Sequence, residues 1–114
     1  MEIIKFGKEI AQEISNYNSV SAFYSKLMKT TSPTNIGFIN IEQGGMVGYH
    51  QAPVPQLFLV IDGEGWIEGE DKKRKAIKSG QGVFWAKGEG HISGTETGLT
   101  ALVLQSEQLE NPFK

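Results

Sequence analysis

Cysteine is absent from the 114 residues of this chain. Its absence excludes disulfide frameworks, thiolate nucleophiles and zinc fingers together. An excess charge of either sign is also lacking, because eleven Lys and Arg residues oppose thirteen Asp and Glu residues and leave a formal net charge of −2. A chain this balanced is not drawn onto nucleic acid or anionic lipid, so we expect neither nucleic acid nor a membrane among its partners.

Long apolar runs are missing as well. The longest, Leu57–Ile61, has five residues and is far shorter than a membrane span. Residues 1–5 do not have the long apolar stretch of a signal peptide. We therefore expect a soluble, cytoplasmic protein. A chain of this length with 39% apolar residues is enough for one domain with a buried core.

Glycine is in excess, with fourteen residues against four prolines. Such enrichment is typical of many short strands joined by tight turns. From residue 36 onward, short apolar runs alternate with glycine-containing turns, one of which we place at Asp62–Gly65. The predicted strands include Ile36–Ile41, Met46–His50, Leu57–Ile61, Val83–Trp85 and Leu99–Leu104. Since no long helical period intervenes, the pattern predicts an all-β domain built as an antiparallel sandwich or barrel, and the run Leu57–Ile61 predicts burial on both of its faces.

The first 35 residues lack this rhythm. Ile10, Ala11 and Ile14 have the spacing of one or two helical turns, and residues 20–28 are compatible with a strand. The predicted parts of the single domain, residues 1–114, are an N-terminal arm or edge strands (1–35), a barrel core (36–104) and a C-terminal tail (105–114).

Two glycine-bounded stretches contain the only two histidines of the chain. The first has a glycine, a histidine six residues later, an alanine two residues after it, a glutamine and a closing glycine: Gly44, His50, Ala52, Gln56 and Gly63. The second has a glycine and a histidine eleven residues later, with another glycine three residues before that histidine: Gly80, Ala86, Gly88, His91 and Thr95. The spacings resemble throughout the two motifs that define the cupin superfamily. The residue types depart from those motifs at Ala52, Ala86 and Thr95.

The resemblance implies a small antiparallel jelly-roll β-barrel of the cupin type, and a homodimer as the family-like assembly. The segment His50–Gln56, together with Gly63–Ile67 and Gly80–Trp85, looks like a small cupin group in which glutamine takes the acidic ligand position. Some members of that group are manganese-dependent lyases or hydroxynitrile lyases. The candidate metal ligands that the resemblance implies are His50, Gln56 and His91.

Position 52 decides how strong such a site can be, because the family has a second histidine there. Alternate residues of a strand share a face, so His50 and Ala52 point the same way, and a barrel can bring His91 to them from a later strand. Two imidazoles and an amide oxygen suit Mn, Fe, Ni or Zn. Since Ala52 removes one nitrogen ligand and Gln56 brings no negative charge, we expect a divalent ion to bind weakly. The alternative is that the histidines are hydrogen-bonding groups that line the barrel without a metal.

The residues expected to line a pocket are Tyr49, Ala52, Phe58 and Ser93. Aromatic residues in strands more often fill a core than bind a ligand, so a packing role competes with this expectation. The first hypothesis for function is a barrel pocket for a small organic molecule, working as a weak divalent-metal-dependent enzyme of lyase, dioxygenase or isomerase type. The second is a non-catalytic module that binds or senses a small ligand and has a degenerate metal site. A third, a partner-binding protein that has lost its site, also stays open.

Overall fold

The computed structural model describes residues 1–112, without the side chain of residue 9, so the last two residues of the predicted C-terminal tail lie outside the described residues. Within that range the chain forms ten β-strands and one turn of 3-10 helix at Lys8–Ile10. The strands are β1 (Glu2–Lys5), β2 (Gln12–Glu13), β3 (Phe23–Tyr24), β4 (Asn35–Ile41), β5 (Met46–Gln51), β6 (Gln56–Glu68), β7 (Arg74–Lys78), β8 (Gln81–Trp85), β9 (Gly90–Gly94) and β10 (Leu99–Gln105). In the part of the chain that the structure describes, no helix is long and apolar enough to cross a lipid bilayer.

Two antiparallel sheets face each other, and β6 runs through both. The main sheet has the order β1-β8-β6-β10-β4. The second half of β6 pairs with β7 on one side and β9 on the other, and β9 pairs in turn with β5. The predicted all-β antiparallel jelly roll is therefore confirmed.

The predicted turn at Asp62–Gly65 is wrong, because β6 continues through these residues as it passes from one sheet to the other. Gly63 makes that passage possible. Its φ is +81°, and a Cβ atom there would lie 2.2 Å from the carbonyl oxygen of Gly98. Glycine at this position thus bends the strand without ending it.

Alternate residues of β6 enter two different apolar clusters, as the continuous run Leu57–Ile61 predicted. Phe58 and Val60 face the second sheet and join the core between the sheets. Leu57 and Leu59 face outward, where residues of the N-terminal arm and Leu109 cover them. The members of the arm that pack there are Ile4, Phe6, Leu27 and Met28.

The N-terminal arm contributes an edge strand to the main sheet, because β1 pairs with β8 in the register Glu2–Phe84 to Lys5–Gln81. The helical spacing of Ile10, Ala11 and Ile14 produces only the 3-10 turn. After it, β2 and β3 form a small ribbon. Tyr17 and Asn18, which connect them, have positive φ values of 59° and 56° that no helix accommodates.

Candidate functional site

The fold places the two histidines of the chain side by side. His50 on β5 and His91 on β9 are direct partners in the antiparallel pairing of these strands. Their ring centroids are 4.4 Å apart and the ring planes meet at 61°. His91 is buried, with 3% of its surface exposed, whereas His50 is exposed. One solvent-accessible imidazole therefore adjoins one enclosed imidazole.

Backbone carbonyls fix the orientation of both rings. Nδ1 of His50 lies 2.8 Å from the carbonyl oxygen of Gly48, and Nδ1 of His91 lies 3.0 Å from that of Glu89. A carbonyl oxygen can only accept, so each Nδ1 donates its hydrogen, and Nε2 of each neutral ring keeps a free lone pair. Histidines that ligate metals are commonly held in this way by their other nitrogen.

Trp85 on β8 closes one side of the histidine pair. Its ring stacks on His91 with centroids 4.2 Å apart and planes 13° from parallel. Burial lowers the pKa of His91 below its ordinary value of 6.5, and the neighbouring His50 lowers it further, against opposing contributions from the carbonyl and the charge of Glu89. His91 is therefore a neutral hydrogen-bonding group at physiological pH.

Gln56, the third candidate ligand, begins β6 and is buried. It is the direct strand partner of Trp85 on β8 and of Gln105 on β10. The side-chain nitrogen of Gln105 donates to Oε1 of Gln56 at 3.1 Å. This bond orients the amide oxygen and uses one of its two lone pairs. Trp85 thus lies between Gln56 and the histidine pair, because it is the strand partner of Gln56 and its ring stacks on His91.

Glu89 holds the turn that leads into His91. Its carboxylate accepts hydrogen bonds from the backbone N–H of Ala86 at 2.7 Å and from the α-ammonium group of Met1 at 2.5 Å, and its carbonyl also accepts from the N–H of Ala52 at 3.0 Å. Burial raises the pKa of the Glu89 carboxyl, but the bonds from Met1 and Ala86 outweigh burial and keep it below the usual 4.5. The carboxylate is therefore ionised and already committed to other partners.

The predicted pocket residues fall into two places. Ala52 and Phe58 belong to the core between the sheets, and Ser93 is buried on β9. Tyr49 is 62% exposed, and its ring lies against the face of Gly90. An open depression of about 270 Å³ lies at the β4 side of the main sheet, where Asn35–Ile39, Val103 and Gln105 line it.

Sequence reasoning did not identify Trp85, Glu89 or Gln105 as parts of this site. Trp85 appeared only as the last residue of a predicted strand. The signal that could have found Glu89 is its place two residues before His91, from which its carbonyl can reach Nδ1. Nothing in the sequence pattern indicates the bond of Gln105 to Gln56.

A metal finds a partial ligand set here. Among the residues that the structure describes, no group of three His, Cys, Asp or Glu side chains is placed to hold an ion. The predicted ligands that the structure brings side by side are His50 and His91, whereas Gln56 lies beyond Trp85, with one lone pair of its amide oxygen remaining. Ala52, where the family resemblance expects an imidazole, is enclosed by the core with 1% of its surface exposed.

Comparisons with solved structures give the fold a name. A cupin-like protein of Thermotoga maritima has a TM-score of 0.62 at 21% identity, over 66% of this chain and 58% of the other. A cupin superfamily protein of Desulfitobacterium hafniense has a TM-score of 0.60 at 13% identity, over 68% and 70%. A predicted oxalate decarboxylase of Thermotoga maritima has a TM-score of 0.56 at 25% identity, over 60% and 62%. This chain thus spans less than two thirds of either Thermotoga protein. No protein-family profile and no curated protein matches the sequence.

These likenesses and the two facing antiparallel sheets show that the chain has the cupin fold, a small jelly-roll barrel. They establish the fold alone. What the domain does has to be argued from its own side chains, since barrels of this kind carry many chemistries.

Proposed function

We propose that this cupin domain binds a small organic molecule with an acidic or hydroxyl group at the His50–His91 pair, and that the pair holds a divalent ion weakly. The observation that carries the proposal is the pair of Nδ1–carbonyl bonds, which leaves two Nε2 lone pairs on neighbouring rings. A ligand O–H can donate to either nitrogen. Mn, Fe, Ni or Zn can take both nitrogens, with Gln56 offering its amide oxygen as a third donor.

A chain of contacts along the inner face of the main sheet joins this pair to an open depression. Gln105 lines the depression of about 270 Å³ and donates to Gln56, Gln56 is paired with Trp85, and Trp85 stacks on His91. The depression is close to the smallest size usual for ligand pockets, so the ligand would be small. Its walls combine apolar side chains with the two amides of Asn35 and Gln105, which suits a molecule with a polar end and an apolar body.

A metal-dependent enzyme of lyase, dioxygenase or isomerase type is the second candidate. It is favoured by the carbonyl-held Nδ1 atoms, which match the orientation of histidines that ligate metals. A bound ion would supply Lewis-acid polarisation of a substrate oxygen. The cytoplasm is the proposed compartment, a prediction from composition that fractionation of the source cells tests.

Isothermal titration with Mn²⁺, Ni²⁺ and Zn²⁺ tests the ion site, and titration with oxalate, the acid of one structural neighbour, tests the organic site. We expect weak binding of the ions, accompanied by movement of the histidine Nε2 resonances in ¹⁵N spectra. His91→Phe keeps a ring to stack on Trp85 while it removes the nitrogen, so it should abolish the binding of ions. Assays of turnover with and without Mn²⁺ distinguish the enzyme from the binding module.

Glu64→Gln is the matched control, because Glu64 is an exposed carboxylate on β6 in another groove. It should leave the affinity for ions unchanged. Ion binding that persists in His91→Phe, or that disappears in Glu64→Gln, would place the ion elsewhere and overturn the ion site. Histidine resonances that respond neither to ions nor to oxalate at millimolar concentrations would overturn the whole proposal.

A further inference from the structure

An open groove, here called the arm groove, lies between the N-terminal arm and the outer face of the main sheet. Its volume is about 520 Å³, which is within the range usual for sites that bind small molecules. The floor comes from the sheet and consists of Leu59 and Ile61 on β6 and Leu102 on β10. The histidine pair lies elsewhere, because His50 and His91 belong to β5 and β9 of the second sheet. The arm groove is therefore a site separate from the one described above.

The apolar floor is only partly covered by the arm. Leu59 is 2% exposed, whereas Ile61, two residues later on β6, is 43% exposed. Leu102 is the direct strand partner of Leu59, so the apolar surface extends over two neighbouring strands. The floor thus runs from a covered part at Leu59 to an accessible part at Ile61. Such a surface suits an elongated apolar group that enters from solvent.

The arm forms the wall of the groove and contributes two aromatic rings. Phe6 follows β1, and Phe23 lies on β3 and is 43% exposed. Among the described residues of this wall, Lys8 and Ser25 alone have polar side chains. Each strand of the β2–β3 ribbon pairs over two residues, so the wall is lightly held and can shift to fit a ligand. The polar groups of the groove are therefore all on the arm, opposite an apolar floor.

Lys8 gives the arm groove a positive charge. Its Nζ atom lies 5.8 Å from the centroid of the Phe23 ring, at the distance of a cation–π contact. None of the ion pairs among the described side chains includes Lys8, and none of the described residues that line the groove is Asp or Glu. The charge at this site therefore favours an anionic group on the ligand.

We propose that the arm groove binds a single-chain amphiphile with a carboxylate head, a fatty acid of medium length. The carboxylate lies beside Lys8, and the chain lies along Leu59, Ile61 and Leu102. A peptide strand fits less well, because it would need the free backbone groups of a sheet edge, and the floor is the face of a sheet. A membrane surface would need a cluster of cations. One lysine beside an apolar floor suits one carboxylate on one chain.

Titration of the natural chain with decanoate tests the site without any variant. Calorimetry should give a dissociation constant on the order of 100 µM. In NMR spectra, the methyl resonances of Leu59, Ile61 and Leu102 should move, while the ring resonances of His50 and His91 should not. Octanoate should bind about ten-fold more weakly, because it buries two methylene groups fewer. Decylammonium has the same chain and the opposite charge, so it should bind about five-fold more weakly than decanoate.

Two variants separate the head of the ligand from its chain. Lys8→Gln should weaken the binding of decanoate about five-fold and leave that of 1-decanol unchanged, because the alcohol has no charge. Ile61→Asp should weaken the binding of both about ten-fold, because it places a carboxylate on the apolar floor. Lys29→Gln is the matched control, since Lys29 is an exposed lysine of the arm that does not line the groove. It should leave both affinities within about two-fold of the natural values.

Several results would overturn the proposal. One is that decanoate does not bind at millimolar concentrations, whether the groove stays empty or sedimentation shows that a second copy of the chain fills it. Another is that decanoate and decylammonium bind equally well. A third is that decanoate moves only the resonances of His50 and His91, which would assign it to the histidine pair. Equal losses of affinity in Lys8→Gln and Lys29→Gln would likewise contradict the place given to the carboxylate.

Discussion

Ala52→His restores the imidazole that the cupin motif has at this position. The packing around Ala52 means that this substitution should lower the stability of the folded chain. Ala52 follows β5 and packs in the core beside Phe58 and Trp85. Its backbone is held on both sides, since its N–H donates to the carbonyl of Glu89 at 3.0 Å and its carbonyl accepts from the N–H of Gly88 at 2.8 Å. The new ring must therefore be accommodated by the side chains around it. Such overpacking costs about 1–3 kcal/mol, which lowers the melting temperature by roughly 4–12 °C in a domain of this size.

The same substitution adds a nitrogen donor two residues after His50, the position that the cupin motif uses. We expect it to raise the affinity for Mn²⁺, Ni²⁺ or Zn²⁺ at least ten-fold, or about 1.4 kcal/mol. An ion present at about one hundred times its dissociation constant stabilises the folded state by about 2.7 kcal/mol. The ion-free variant should therefore melt below the natural protein, and addition of the ion should recover most of the loss.

Thermal melts with and without the ion, together with calorimetric titration, measure both effects. Ala52→Phe is the matched control, because it adds a ring of comparable volume without a ligand nitrogen. The reasoning is refuted if the ion raises the melting temperature of Ala52→Phe as much as that of Ala52→His. It is refuted as well if His91→Ala, introduced into the Ala52→His background, leaves the gain in affinity intact.

Three further outcomes follow from the structure. Because the pKa of His91 is lowered in the folded state, the unfolded chain binds a proton below pH 6.5 that the folded chain does not yet bind. The free energy of unfolding should therefore fall as pH decreases from 7 toward 5. Thermal melts of His91→Phe should show a flatter dependence on pH. Leu57→Ala, at a fully buried position, should lower the free energy of unfolding in denaturant titrations by about 2–5 kcal/mol; a loss below 1 kcal/mol would mean that the outer cluster is not packed. Gly63→Ala should lower the free energy of unfolding more than Gly90→Ala does. The new methyl group meets the backbone oxygen of Gly98 in the first variant and the movable hydroxyl of Tyr49 in the second. Equal losses of stability would contradict the bend assigned to β6.

Local patterns in the sequence are enough to predict most of the barrel. Alternating apolar residues and glycine turns locate the strands after residue 36, and the two spaced histidines indicate a site. The predicted turn at Asp62–Gly65 fails because a glycine with positive φ can bend a strand as readily as end it. Only the pairing of β6 with β7 and β10 shows which of the two occurs here.

The partners of the histidines could not be predicted, because they depend on contacts between distant strands. The stack of Trp85 on His91 requires the register of β8 beside β6, and the bond from Gln105 to Gln56 joins residues 49 positions apart. The place of β1 beside β8 is equally non-local. Sequence spacing gives the face on which a side chain lies, whereas strand register decides which side chain it meets.

The charge of a bound ion relates the two proposed activities, the binding of a divalent ion and the binding of an organic ligand. A divalent ion at His50 and His91 would have three neutral donors at most, and the carboxylate in the neighbouring turn, Glu89, is already bound by Met1 and Ala86. Beside the buried His91, an uncompensated double charge is costly. A carboxylate or alkoxide supplied by the ligand would provide the compensation that the chain lacks. Because such coupling is reciprocal, the ion would strengthen the binding of an acidic ligand by the same factor as the ligand strengthens that of the ion. The neutral site therefore favours an anionic ligand when an ion is present.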